Sequence, residues 1–445
     1  MREEISRDRH FIGNFEINGD KIGGELVYNR KTGVILLNLE RDVWDPRKSV
    51  GNQEYILGKL NSGTKVTLFH NRCVRDHVWN FRRQNLQFVA DQIVFGHETA
   101  EQKQFHKLTC VIENGLHWSR LSAIKEEEQD RVRFEPQEAK IYHWYGATIK
   151  FSSLVENGLG KMPRDEVSEV VERLQIAIEA GEKKEISFFL QIRDKILAMI
   201  SFAIKDNVNI QKQTLVCYEE AYTVHGHVSY PPYVLITREP YREVAISQIY
   251  DYNFFLPQIS EKDPSEKLEK LAPVFNLYLS LFKYQDMPVE MVFLNIVQAV
   301  ETFHSRFFYG DKKKKYVASV QERFQSTQHW ELLENLLLSK TQMDKNCNYI
   351  ILLSRLNDLF VGEYDGLFCE FYLEDPEYAQ RIADTRHYYT HYGKEKEEKA
   401  LKGDELLDAI YILRLLLEYH VCKVLDIDIR EATQQALGRY FGEKI

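Results

Sequence analysis

The hydrophobic periodicity of this chain turns from mainly strand-like to helical near residue 263, and that change constrains the fold more than any other feature. Ahead of it, apolar residues alternate with polar ones in short runs; beyond it, they recur every three or four positions. Alternation marks a strand with one buried face, and the longer period marks a helix with one buried stripe. A chain that uses both in succession is expected to be α+β, with a β-rich region over 1–262 and an all-α region over 263–445.

In the first region, Ile22–Tyr28 and Gly33–Leu39 flank Asn29-Arg30-Lys31-Thr32 as a hairpin would. Lys65–His70, Phe88–Phe95, Lys107–Ile112 and Ala147–Phe151 continue the pattern. Many short strands that each bury one face predict a sandwich-like sheet pair or an open barrel. A sub-boundary is expected near 160, followed by a mixed second lobe. There Val171–Ile178 and Tyr233–Thr237 read as strands, and Ser187–Ile204 as a helix capped by Ser187.

Beyond 263, Asp263-Pro264-Ser265 opens a helix and Asp286-Met287-Pro288 opens the next, with Val292, Ile296, Val300 and Phe303 on its stripe and Gly310 at its close. Tyr316–Gln325, Trp330–Leu338 and Tyr349–Phe360 read as further helices. Asp375-Pro376-Glu377 starts another, capped by Asp375 and stopped at Gly393. The stretch Gly393–Lys402 is charged and predicts a mobile loop. Asp404 is expected to cap a last long helix to about Leu425, whose nearly all-round apolar character predicts burial at a bundle centre or a dimer face.

Bulk composition bounds the class. The 445 residues are 44% hydrophobic and 28% charged with 11 prolines, which suits folded domains rather than extended disorder. The six cysteines, at 73, 110, 217, 347, 369 and 422, form no C-x-x-C pair, as expected of reduced thiols in a cytoplasm. The opening ten residues lack the apolar core of a signal peptide, and no run approaches the ~18 apolar residues of a membrane span. No membrane association is therefore expected. The formal net charge of −9 is unlike the basic excess of most nucleic-acid binders. Any contact with RNA must rely on a local site.

The densest chemistry lies in Asp384-Thr385-Arg386-His387-Tyr388-Tyr389-Thr390-His391-Tyr392-Gly393. Arginine binds a phosphate with two hydrogen bonds and never loses its charge. Histidine takes and gives protons near neutral pH. Together they are a minimal kit for cutting a phosphodiester without a metal. At about 100° per residue, Arg386 and His391 stand roughly 140° apart on a regular helix, while His387 and His391 share a face. A long Arg side chain, a distorted turn near Gly393 or a second copy of the helix could bring Arg386 and His391 to one point. A symmetric dimer would gather two arginines and four histidines. The same spacing also suits an ordinary packed helix with a solvated arginine.

Other candidates are weaker. His225-Gly226-His227 puts two histidines on one face of a strand, but no carboxylate–histidine pattern completes a metal site. Gly158-Leu159-Gly160-Lys161 lacks the spacing of a phosphate loop and reads as a turn. No metal and no cofactor are expected. Lys312, Lys313, Lys314 and Lys315 could touch RNA phosphates or simply be solvated. Glu301 and His304, three apart on one helix, are neighbours there.

Arg386-His387 followed by three residues and His391 resembles the R-polar-x3-H signature of HEPN domains, and Thr385–Gly393 is similar to its ApeA-type branch. Val297-Gln298-Ala299-Val300-Glu301-Thr302-Phe303-His304 resembles that family's first-helix pattern. Phe15-Glu16-Ile17, Gly33–Leu37, Phe88–Gly96 and Gly115-Leu116-His117-Trp118 are similar in style to the ApeA N-terminal domain. The resemblance implies a β-rich N-terminal domain and a HEPN helical bundle that cleaves RNA. Its implied site has Arg386, His387 and His391 as catalytic residues, with Glu301, His304, Tyr389 and Thr390 in support. It further implies a homodimer through the helical domain, a role in bacterial defence against phage by abortive infection, and a phage-derived trigger sensed or restrained by the N-terminal region. The alternatives are an inactive HEPN-like dimer that binds RNA or protein, and a carbohydrate- or ligand-binding sandwich with a helical dimerisation tail.

Overall fold

The computed structural model describes residues 8–42, 50–79, 83–96, 104–113, 115–127, 131–157, 170–220, 222–224, 227–229, 232–239, 254–284, 286–308, 352–361, 367–368, 375 and 377–442. It divides into two compact units, Met1–Leu197 with Val208–Val244 and Ala198–Asn207 with Ala245–Ile445. The first is β-rich and the second helical, so the fold class is α+β, as the change of period requires.

The first unit is built on one thirteen-stranded sheet. Its first strands are β1 (Arg9–Ile17), β2 (Asp20–Asn29), β3 (Val34–Asp42), β4 (Gln53–Leu60), β5 (Lys65–Trp79) and β6 (Arg83–Ala90). They run β5-β4-β1-β2-β3-β6, and β6 pairs back onto β5, which closes a six-stranded barrel. The hairpin around Asn29–Thr32 is present, with Tyr28 opposite Ile35 in an antiparallel register. Closure depends on β5 changing partners. Its first half pairs with β4, and Arg72–Trp79 pairs with β6. His70 sits at the changeover with φ +54°, a left-handed kink.

The barrel core is Phe15, Leu26, Ile35, Leu37, Ile56, Val66, Leu68 and Phe88, all fully buried. Gly58 is needed there, because a Cβ at that position would meet the Phe15 ring at 2.6 Å. Phe88–Phe95, one strand by its apolar run, is broken at Asp91. The residues beyond the break form β7 (Gln92–Phe95), which joins β5 to a later strand.

The sheet then extends through β8 (Phe105–Ile112), β11 (Lys140–Trp144), β12 (Ala147–Asn157), β13 (Val170–Lys184), β14 (Ile210–Val216) and β17 (Tyr233–Thr237), in the order β7-β17-β14-β8-β13-β12-β11. Two small hairpins, β9 (Ile124–Glu127) with β10 (Arg131–Phe134) and β15 (Tyr222–Val224) with β16 (His227–Ser229), stand apart. A single-turn helix, α1 (Leu116–Ser119), buries Trp118. The helix α2 (Ile186–Ile204) starts one residue before Ser187, which therefore lies within the first turn instead of capping it. Its Arg193 is buried among Gln213, Thr237, Glu239 and the neighbouring Asp194, so the charge has a full set of partners. Gly158–Lys161 and His225-Gly226 lie outside the described residues.

The helical unit comprises α3 (Ser265–Lys283), α4 (Val289–Phe307), α5 (Leu352–Val361), α6 (Tyr378–His391), α7 (Lys394–Glu397), α8 (Asp404–Val424) and α9 (Arg430–Gly442). Phe293, Ile296, Val300 and Phe303 of α4, Leu356 and Phe360 of α5, Ile382 of α6 and Leu413 and Leu416 of α8 form its core. Much of the apolar character of α8 is used within one chain, since Ala409, Leu413, Leu416 and Val421 are buried on successive sides, while Leu407 stays exposed. Glu418 is buried on it too. Its carboxylate meets Lys205 Nζ at 2.8 Å and accepts the Tyr278 hydroxyl. Two expected caps are corrected. Asp404 is the first residue of α8, behind Gly403, and Asp375 clamps the Arg381 guanidinium instead of capping α6. Tyr316–Gln325, Trp330–Leu338, Gly310 and Pro376 lie outside the described residues.

Candidate active site on helix α6

One face of α6 is fixed by burial of Tyr378, Ala379, Ile382, Asp384 and Thr385. The residues after it hold that face in place. Lys396 Nζ lies 2.7 Å from Asp384 Oδ1, the Leu401 amide donates to Thr385 Oγ1 at 2.9 Å, and the Tyr389 hydroxyl donates to the Leu401 carbonyl at 3.2 Å. The charged stretch Gly393–Lys402 is therefore not a loose loop. It forms a short helix, α7, and a return segment that clasps α6. The helix is capped by Tyr392, which takes the left-handed conformation at φ 50°, while Gly393 is extended at φ −71°. The irregular turn thus follows His391 and does not rotate it toward Arg386.

The motif residues divide: Arg386 continues the stripe of Ala379 and Ile382 toward α4, while His387 and His391 lie on the exposed side. Arg386 is half-buried, and His387 and His391 are exposed, their ring centroids 4.9 Å apart. Arg386 Nη2 faces Glu301 Oε2 on α4 at 3.6 Å, which brings an anion from a neighbouring helix onto the guanidinium. On an α-helix that is regular through His391, Arg386 and His391 remain roughly 140° apart. Thr390 bonds back to the Arg386 carbonyl at 2.7 Å, and Tyr389 packs against Phe293 with centroids 6.3 Å apart. Burial, and next the Glu290 carboxylate, push the Tyr389 phenol up.

His304 stands elsewhere. It is fully buried, with Nε2 2.8 Å from Asp358 Oδ2 and its ring stacked on Phe308. One turn along α4 separates it from Glu301, but the two side chains serve the bundle interior and the motif respectively. Lys312, Lys313, Lys314 and Lys315 lie outside the described residues. Sequence reasoning did not find Arg355, whose guanidinium donates to the Glu301 carbonyl at 3.2 Å, nor the Asp384–Lys396 clasp. The first joins residues 54 apart in the chain, and no local pattern announces it. The second has a faint signal in the alternating charges of 394–399. Among the described residues, no helix is long and apolar enough to cross a membrane, and no cluster of three or more His, Cys, Asp or Glu is placed to hold a metal.

A β-barrel front followed by a helical bundle that displays R-polar-x3-H on a surface helix defines an ApeA–HEPN type of protein. Comparison with family models agrees along nearly the whole chain: ApeA N-terminal domain 1 matches residues 10–280, and Apea-like HEPN matches 294–430. This chain belongs to the ApeA family. The gap between the two matches falls at the connection between α3 and α4. No curated protein and no solved structure matches it.

Proposed function

We propose that the protein is a metal-independent endoribonuclease of the HEPN type, acting in bacterial defence against phage by abortive infection. The observation that carries the reading is the pair of exposed histidines, His387 and His391, on the same helix as a half-buried Arg386 that Glu301 is set against. In the proposed reaction the RNA 2′-OH attacks the adjacent phosphorus. His391 takes the 2′ proton, and the departing 5′ oxygen is protonated by a second imidazole, His387 or a histidine of a second chain. Arg386 stabilises the added negative charge on the phosphoryl oxygens. The products are a 2′,3′-cyclic phosphate and a 5′-hydroxyl, and DNA resists cleavage because it lacks the nucleophile.

The angle between Arg386 and His391 supports a composite cleft, in which Arg386 of one chain and His391 of another meet in a homodimer. The β-rich region would restrain the nuclease until a phage-derived cue appears. Sequencing of RNA ends after induction in a bacterial host tests the chemistry. Cyclic-phosphate ends that persist in EDTA and vanish in Arg386→Ala and His391→Ala are expected; cleavage that survives His391→Ala refutes the mechanism. The net charge of −9 favours one second reading, a non-cutting HEPN-like dimer that binds RNA or protein. It predicts no new RNA ends and equal toxicity for the wild type and both variants.

A further inference from the structure

A groove of about 550 Å³ lies beside the motif, along α6. Its walls include Tyr388, Tyr389 and Tyr392, with Glu290 from the start of α4, Lys402 from the return segment and Asp404 from the start of α8. The three rings meet edge to face: Tyr388 and Tyr389 have centroids 5.1 Å apart at 61°, and Tyr389 and Tyr392 6.3 Å apart at 82°. Lys402 Nζ stands 5.6 Å from the Tyr388 ring centroid, and Tyr392 is 65% exposed. Around the helix axis Tyr388 follows His391 by only about 60°.

We infer that this groove is a base-binding subsite for single-stranded RNA, which stacks an unpaired nucleobase flanking the cleaved bond against Tyr392 and Tyr388. The inference rests on the nuclease reading above and adds the class of substrate. Three features favour a base over other occupants. The volume lies in the range of small-ligand sites, about 300–1,000 Å³. The acidic chain lacks the broad electrostatic hold that most RNA binders use, and stacking needs no net charge. The polar lining also reads a base edge. Carboxylates such as Glu290 and Asp404 accept hydrogen bonds and donate none when ionised, so they suit the exocyclic amino groups of adenine, cytosine and guanine. Uracil has no such group, so it is the disfavoured base.

The test uses the full chain and 2′-O-methyl RNA hexamers of adenosine, cytidine or uridine, which cannot be cut through a 2′-OH. Affinity is read by fluorescence anisotropy. Tyr392→Asn removes the ring with a residue that tolerates the left-handed conformation, and Tyr392→Phe keeps the ring. Tyr392→Asn is expected to weaken binding of the adenosine hexamer about 5- to 150-fold, and Tyr392→Phe to leave it within about twofold. Glu290→Gln is expected to narrow the preference for adenosine over uridine. Unchanged affinity in Tyr392→Asn overturns the subsite. So does a drop in sedimentation coefficient at unchanged affinity, which would make the groove a face for a second copy. Two further outcomes separate this inference from the nuclease reading. Tyr392-dependent binding without any RNA cleavage by the wild type sustains the subsite and removes the nuclease. His391-dependent cleavage with normal binding by Tyr392→Asn does the reverse.

Discussion

Glu301 Oε2 on α4 stands 3.6 Å from Arg386 Nη2 on α6, with the two side chains 25% and 39% exposed. A pair so open to water contributes about 0–1 kcal/mol to stability. Its value is positional, because it limits where a long, flexible guanidinium can go. Glu301→Gln is expected to leave the urea midpoint almost unchanged and to lower RNA turnover about three- to tenfold, an effect of roughly 1 kcal/mol on the transition state. Single-turnover cleavage assays beside denaturation curves check it. Equal turnover would mean that Arg386 is positioned without Glu301.

Thr385 is fully buried and joins α6 to the return segment by accepting the Leu401 amide hydrogen at 2.9 Å. Thr385→Val keeps the shape and removes that acceptor, leaving a buried N–H unpaired. The expected loss is about 1–3 kcal/mol of stability, with faster proteolysis within 394–402. Thr385→Ser, which keeps the hydroxyl, should restore most of both. Limited proteolysis with mass-spectrometric mapping reads the difference.

The separation of Arg386 and His391 around α6 makes a mixing experiment informative. Neither Arg386→Ala nor His391→Ala chains should cut RNA alone. If each cleft takes its arginine from one chain and its histidine from another, co-refolded mixtures recover up to about a quarter of wild-type activity, since half of the randomly paired dimers carry one intact cleft of two. An active species that light scattering finds strictly monomeric would end the shared-cleft model.

Alkaline conditions should weaken the β-rich unit. Burial pushes the Cys110 thiol from 9.0 up to about 12, and burial followed by the Glu239 carboxylate pushes the Tyr28 phenol from 10.0 up to about 12. In the unfolded chain both ionise at their ordinary values. Below pH 9 both groups are protonated in both states and have no effect. Above it the unfolded state holds fewer protons than the folded one, so stability falls as pH rises, by about 1.4 kcal/mol per pH unit for each group in its window. Cys110→Ala should show a shallower loss between pH 9 and 11 in urea titrations. An identical slope would remove Cys110 from the explanation.

Much of this architecture was legible because its signals are local. Alternation in Ile22–Tyr28 and the proline-marked openings before Ser265 and Val289 concern neighbours in sequence, and these elements appear where the residues ask for them. The misses share a cause, which is that distant partners decide them. The run Phe88–Phe95 breaks at Asp91 because its halves pair with opposite ends of β5 and, on their other sides, with β3 and β17. The charged segment 394–402 is ordered by Asp384 and Thr385, and His304 is held in the core by Asp358. The helix α9 escaped notice because Arg430–Gly442 carries few large apolar residues, although Ala436 and Leu437 are buried. At the site, the motif and its likeness to HEPN domains were readable. The ion pair to Glu301 could be anticipated only through that likeness, since 85 residues separate it from Arg386.

The return of β6 onto β5 also bears on how the chain behaves in a crowded cell. An open sheet has two border strands, each able to recruit a stray strand from another molecule. Here barrel closure removes one, and among the described residues the sheet ends at the short β11, whose Lys140 and His143 are exposed. The fold thus presents little template for self-aggregation.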